Sequence, residues 1–141
     1  MNQKCTTEEL LADHGIDTTL HRSTVLDVFI RDNRSRTPQD ILEEVRKKKD
    51  IDKVTLYRIL DLFVEKRIIR RITTFSGPMQ YEILCEKHRP NHPHFVCRRC
   101  GQMECLDDMD LTGFKNQLKG KRKLKIEDID LKLEGVCPEC V

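Results

Sequence analysis

Two cysteine pairs constrain this chain more than anything else in it: Cys97-Arg-Arg-Cys100-Gly101 and Cys137-Pro-Glu-Cys140. A two-residue spacing lets both thiolates of a pair turn toward one ion, and two such pairs complete a tetrahedral four-sulfur shell suited to structural zinc. The pairs are 36 residues apart, so the intervening segment must return to its start and the ion would tie its two ends together. Such a closed site has no position for a substrate and acts as a staple. The competing readings are redox dithiols or unconnected thiols; a redox pair at a helix N-terminus would leave the other pair unexplained. Composition agrees with a need for staples. Of 141 residues, 38% are hydrophobic, 5% aromatic and 35% charged, with no Trp, so large cores are not expected. Six of the seven cysteines lie in residues 85–141. MNQKCTTEEL has no signal-peptide run and no long apolar segment follows, so a soluble, cytoplasmic chain without membrane contact is expected. In that compartment cysteines are ligands or redox thiols more often than disulfides.

The run HPHFVCRRCG (92–101) places His92 and His94 outside the four-cysteine shell. In extended backbone, residues i and i+2 point to the same side, and Pro93 favours that backbone at His92. Cys85 and Cys105 flank the run, and with the two histidines they would form a Cys₂His₂ shell, which suits zinc better than ferrous iron or manganese. Glu82, Glu104 and His88 are reserve ligands. The alternative is that Cys85 and Cys105 are small buried apolar residues and the histidines lie at the surface.

The first half reads as four helices and a hairpin. TTEELLADHG has capping-box spacing at Thr6 and Glu9 and a stop at Gly15. A second helix covers TLHRSTVLDVFI, with Val25, Leu26 and Phe29 inward. A third begins in TPQDILEEV, where Thr37 caps and Pro38 takes the first turn. In KVTLYRILDLFVEK, Leu56, Ile59, Leu60 and Phe63 repeat helically, and RIIRRITTF–SGP–MQYEIL predicts a hairpin. This is the element order of a winged helix-turn-helix, with the fourth helix for recognition and the hairpin as wing. The second half predicts a small α/β unit: a strand at QMECL, a helix within DLTGFKNQLKGK, and a strand over IEDIDLKLEG in which Ile129, Leu131 and Leu133 alternate. The boundary between the winged-helix half and the cysteine-rich half is expected near Cys85–Asn91. Net charge is +2, and the halves carry 15 basic against 14 acidic and 11 against 10, so any nucleic-acid contact must rest on local placement.

TLHR (19–22), VTLYRIL (54–60) and H-x-H-x-x-C-x-x-C-G with a C-terminal C-x-x-C together resemble the ferric-uptake-regulator (Fur) superfamily, most closely its zinc-uptake (Zur) branch. The resemblance runs from about Leu10 to Cys140. It implies a winged-helix DNA-binding domain over 1–84, a hinge over 85–91 and a dimerisation and metal-binding domain over 92–141, in a homodimeric transcriptional regulator, usually a repressor that binds palindromic operator DNA when metal-loaded. It assigns Cys97, Cys100, Cys137 and Cys140 to structural zinc, and His92 and His94 to a regulatory site joining the domains. Glu82 stands where iron-responsive members carry a hairpin glutamate, Cys105 where most carry a regulatory glutamate, and Cys85 resembles the hairpin-end cysteine of zinc-uptake regulators. Tyr57 is expected near bases, Arg58 near phosphate and Arg22 at the DNA backbone, with Thr55 on the same helix. There are departures. Asn33-Arg34-Ser35-Arg36 lacks the histidine of iron and peroxide sensors, and Asn91 and Pro93 replace ligands of a further site.

The expected function is therefore a zinc-responsive repressor. An iron- or manganese-responsive regulator of the same family is one alternative; a zinc-stapled protein-interaction module that does not bind DNA is another. For the last, the near-neutral first half argues in favour, and Arg58, Arg67, Arg70 and Arg71 argue against. Arg46-Lys47-Lys48-Lys49 reads as a solvated helix end. An enzyme is not expected, since no nucleophile–base pair is apparent and a Cys₂His₂ site leaves no position for water. Cys5 reads as an exposed thiol, His14 as a helix-end residue, His21 as a surface residue, and Met103 and Met109 as packing.

Overall fold

The computed structural model describes residues 6–31, 34–73, 77–84, 92–109 and 111–141. Cys5, Asn33, Cys85, His88, Asn91 and the whole expected hinge lie outside the described residues. The chain divides into two compact units, carried among the described residues by 6–73 with 78–84, and by 92–141.

In the first unit, α1 (Thr7–Asp13) starts where the Thr6 hydroxyl accepts from the Glu9 amide at 3.2 Å. It stops in a Schellman turn: Gly15 takes φ +69°, and Ile16 and Gly15 donate back to the Leu11 and Ala12 carbonyls. The next helix, α2 (Leu20–Arg31), buries Val25, Leu26, Val28 and Phe29. Thr37 and Asp40 form a reciprocal capping box on α3 (Pro38–Arg46), with Pro38 in its first turn. Asp52 caps α4 (Lys53–Glu65) through the Thr55 amide. That helix closes in a second Schellman turn, in which Arg67 adopts φ +62° and Ile68 donates to Phe63 at 2.9 Å. The turn delivers the chain into β1 (Ile69–Ile72), which pairs antiparallel with β2 (Gln80–Ile83) in the register Ile69↔Ile83 and Arg71↔Tyr81. Arg36 adds a two-way backbone bridge to Tyr81, at 2.9 and 2.7 Å, tying the start of α3 to the hairpin.

Nineteen buried apolar residues from α1 to β2 form one core. The first unit therefore has a fuller core than the composition led us to expect. Aliphatic residues at helical spacing supply it, so scarce aromatics do not limit it.

The second unit holds β3 (His94–Cys97), β4 (Met103–Cys105), α5 (Thr112–Arg122) and β5 (Lys132–Gly135). The sheet order is β4-β3-β5, antiparallel on one side of β3 and parallel on the other. Two expectations need correction. The strand expected over IEDIDLKLEG is regular only from Lys132 to Gly135, and Leu133 is 42% exposed. Alternation alone does not make a strand; the regular stretch is the one in register with β3, from His94↔Lys132 to Cys97↔Gly135. Met109, expected to pack, is 51% exposed. The winged-helix reading of the first unit and the α/β reading of the second describe the architecture.

Candidate functional site

The second unit converts two distant sequence pairs into one cluster. β3 ends at Cys97, and a tight turn with Gly101 at φ +77° folds Cys100 back beneath it. β5 lies parallel to β3 with Cys97 beside Gly135, so Cys137 arrives two residues later at the same end. The approach is close, because a Cβ on Gly135 would stand 3.2 Å from the Phe95 ring. The four sulfurs lie within 4.8 Å of one another, and Cys100 Sγ is 3.8 Å from Cys137 Sγ. Zinc–sulfur bonds of about 2.3 Å make a tetrahedral edge of about 3.8 Å, so this donor set can hold zinc. The amides of Cys137 and Gln102 donate to Cys97 Sγ and Cys100 Sγ at 3.3 and 3.5 Å. Arg99 reaches across to the Cys140 carbonyl at 2.7 Å and holds the C-terminal pair against the first.

Three of these thiols, Cys97, Cys100 and Cys140, are shifted from their ordinary values. Amide hydrogen bonds from Cys100 and then Cys137 bring the Cys97 thiol down to about 6. Cys140 is pushed up to about 12, first by hydrogen bonding with Cys137, then by burial. At Cys100 the Gln102 amide pulls down, but Cys97 and burial outweigh it and the thiol rises. One thiolate forms readily, while further negative charge at the same point needs a cation.

His92, His94 and Cys105 make a second cluster in the same unit. His94 and Cys105 are Cα partners across β3 and β4. The two histidines are buried, their ring centroids 4.7 Å apart, and their ligand atoms lie within 4.8 Å of each other and of Cys105 Sγ. Two imidazoles and one thiol at this separation can take a divalent ion. Glu104, the reserve ligand, is Cα partner of Phe95 and exposed. Glu82 is buried on β2, where its Cα partner is Arg70. The thiol of Cys85 lies outside the described residues.

In the first unit α4 turns Leu56, Ile59, Leu60 and Phe63 into the core. Tyr57, 44% exposed, and Arg58 stand on its outer face with Val54, which is 57% exposed. Thr55 is half-buried. Its hydrogen bond holds the Asp52 carboxyl below the usual carboxylate range, so it serves the helix cap. Arg22 is half-buried and donates to the Asp17 carbonyl at 3.0 Å. Two of the basic residues expected near the wing serve the fold. Arg71 pairs with Asp61 on α4 at 2.5 Å, and Arg70 is buried. Hydrogen bonding to Tyr81 raises Arg71 further above its ordinary value. Lys47 pairs with Glu44 at 2.8 Å and stays exposed with Lys48 and Lys49, as a solvated helix end does. Sequence reasoning passed over the Asp52 cap, which an Asp immediately before a helical run signals. It also passed over Arg99, for which no local signal exists.

A capped, solvent-facing recognition helix and a β-hairpin wing share this chain with two clusters of sulfur and imidazole donors. Together they define the class of metal-responsive, DNA-binding transcription regulators. Residues 13–134 match the ferric uptake regulator family, and the chain belongs to that family. Members of this family are transcription regulators and not enzymes.

The ferric uptake regulation protein of Staphylococcus epidermidis is 30% identical over 133 residues, covering 94% of this chain and 91% of the relative. Among solved structures, the Helicobacter pylori ferric uptake regulator Fur, described as having three functional metal-binding sites, superposes with a TM-score of 0.75 at 24% identity, covering 99% and 97% of the two chains. A zinc uptake regulator complexed with zinc and DNA gives 0.62 at 22% identity, covering 94% and 89%. At these identities the structural likeness is one of fold. No helix among the described residues is long and apolar enough to cross a membrane.

Proposed function

We propose that this protein is a zinc-responsive repressor that binds palindromic operator DNA as a metal-loaded homodimer in the cytoplasm. The observation that carries the metal assignment is the grouping of Cys105 with His92 and His94. A thiolate in a two-imidazole site favours zinc, whereas manganese prefers oxygen donors and non-haem ferrous iron pairs its imidazoles with a carboxylate.

Cys97, Cys100, Cys137 and Cys140 would hold a structural zinc. His92, His94 and Cys105 would hold the regulatory ion, with Cys85 or Glu82 as the further ligand that the family resemblance suggests. A bound divalent ion supplies one thing in each place, a charge that lets thiols remain thiolates. The rest is done by the chain. Cys105 gives up its proton while the imidazoles stay neutral. β3 carries both donor sets, His94 at its start and Cys97 at its end, so ordering of one end is passed to the other along a single strand. On the first unit, Tyr57 would meet base edges, Arg58 phosphate, and Arg22 the DNA backbone, with Thr55 holding the start of the helix. Metal acts as a switch to the extent that the DNA-competent arrangement of the dimer binds it more tightly.

The test is operator binding measured against buffered Zn²⁺, Mn²⁺ and Fe²⁺ for the wild type, Cys105→Ser and Cys85→Ser. The expected result is activation at the lowest free concentration by Zn²⁺, with a shift to higher zinc in Cys105→Ser. Equal activation by Fe²⁺ or Mn²⁺, or an unchanged zinc response in both variants, would overturn the zinc assignment.

A further inference from the structure

α4 presents an apolar side chain that the fold does not use. The buried residues Leu56, Ile59, Leu60 and Phe63 take one side of the helix. Val54, Tyr57, Arg58 and Asp61 fall at i, i+3, i+4 and i+7, on the opposite side. Val54 lies in the first turn, directly after Lys53, and is 57% exposed. Among the described residues of the first unit, the exposed large apolar side chains are Leu20, Val54 and Tyr57, so two of the three share this face.

A β-branched residue is not what an exposed first helical turn calls for. Valine loses rotamer freedom in a helix, and a polar or straight-chain residue there would favour the helix more. A single exposed valine alone would need no explanation. Its position is what singles it out. The first turn of a recognition helix is the part that enters the major groove and meets base edges. An apolar side chain there has one complementary feature in that groove, the C5-methyl of thymine.

We infer that Val54 is a specificity-determining residue that packs against a thymine methyl in each operator half-site, beside the contact made by Tyr57. This rests on the reading of α4 as the DNA-contacting helix. Arg58, one residue beyond Tyr57, is placed for phosphate and would fix the register in which Val54 reads. Asp61, the acidic member of the same face, is paired with Arg71. That pairing draws its charge toward the hairpin and leaves the N-terminal part of the face to Val54, Tyr57 and Arg58.

The experiment selects binding sites from a random duplex library with the zinc-loaded full-length protein, in the wild type and Val54→Ala. Alanine is a better helix former, so the variant keeps the helix. The wild type should enrich sites with a fixed thymine in each half-site, and Val54→Ala should relax that position while keeping the others. On the selected site, replacing that thymine by deoxyuridine removes only the methyl. The wild type should bind roughly threefold to tenfold more weakly per half-site, a loss typical of one buried methyl group. Val54→Ala, with two methyl groups fewer to reach the thymine, should lose clearly less than the wild type from the same replacement. Identical selected sequences for the two proteins, or equal losses at every deoxyuridine, would overturn the assignment of Val54 and leave DNA binding intact. A wild-type protein that enriches no sequence at all would overturn the reading of α4, and the role of Val54 with it.

Discussion

Stripping the metal from the four-thiol cluster should unfold the second unit and leave the first folded. The asymmetry comes from where apolar surface is buried. The first unit has a core of nineteen buried apolar residues. In the second, the buried apolar side chains among the described residues are Val96, Leu111 and the cysteines Cys97 and Cys137. Val96 and Leu111 together are worth about 3–6 kcal/mol of burial. A structural zinc contributes about 10–16 kcal/mol. Phe114, Leu124, Leu133 and Val136 remain exposed, so they add little to the burial within one chain. A zinc ion held by the four thiols would therefore be the largest single contribution to the second unit. Amide hydrogen exchange, followed while a strong chelator is added and zinc is counted, should show protection vanishing together in β3, β4 and β5. Protection in α2, α3 and α4 should persist. Cys137→Ser should behave like chelated wild type. Retained protection in β3 and β5 at a zinc count of zero would refute the reasoning.

Acidification should reach the same unit first. Cys97 is lowered to about 6 in the fold from an ordinary 9.0, so its stabilising effect is complete above the ordinary value and is lost as pH falls through about 6. Protons also compete with a bound ion for the thiolates, so lowering the pH from about 7 to about 5 should release zinc to a colorimetric chelator, while the first unit, with no cysteine among its described residues, keeps its helical circular dichroism. Phe63→Ala should cost about 3–5 kcal/mol by urea denaturation of the first unit, because a fully buried α4 ring is removed from a filled core. Arg58→Ala should weaken binding to all DNA sequences alike and flatten the dependence of log K on log salt by about one charge per contact. Tyr57→Ala should instead change which sequences are preferred, read by competition between selected and scrambled duplexes.

Much of the first unit was legible in the sequence because its determinants are local. Thr37-Pro38 and Asp40 set the start of α3 within four residues, and Gly15 ends α1 because it takes a left-handed conformation that costs other residues energy. Periodicity identified the inner faces of α2 and α4, since burial on a helix follows the 3.6-residue repeat. The cysteine spacing likewise specified pairs able to share an ion. What local pattern could not give is which long-range partners each segment finds. Only the parallel pairing of β5 with β3 brings Cys137 against Cys97, and only the antiparallel pairing of β4 sets Cys105 opposite His94. The same pairing confined the expected strand over IEDIDLKLEG to its last residues. Arg70 and Arg71 counted as basic wing residues until the fold buried one and paired the other with Asp61. Val54 was one more apolar residue in a helical run until the packing of its neighbours left it facing solvent. Sequence determined the elements and the ligand types, because these depend on dihedral preference and side-chain chemistry within a few residues. Tertiary structure decided which charges are spent inside the fold, which donors converge and which apolar atoms are left over for a partner, because each of those depends on contacts between segments far apart in the chain.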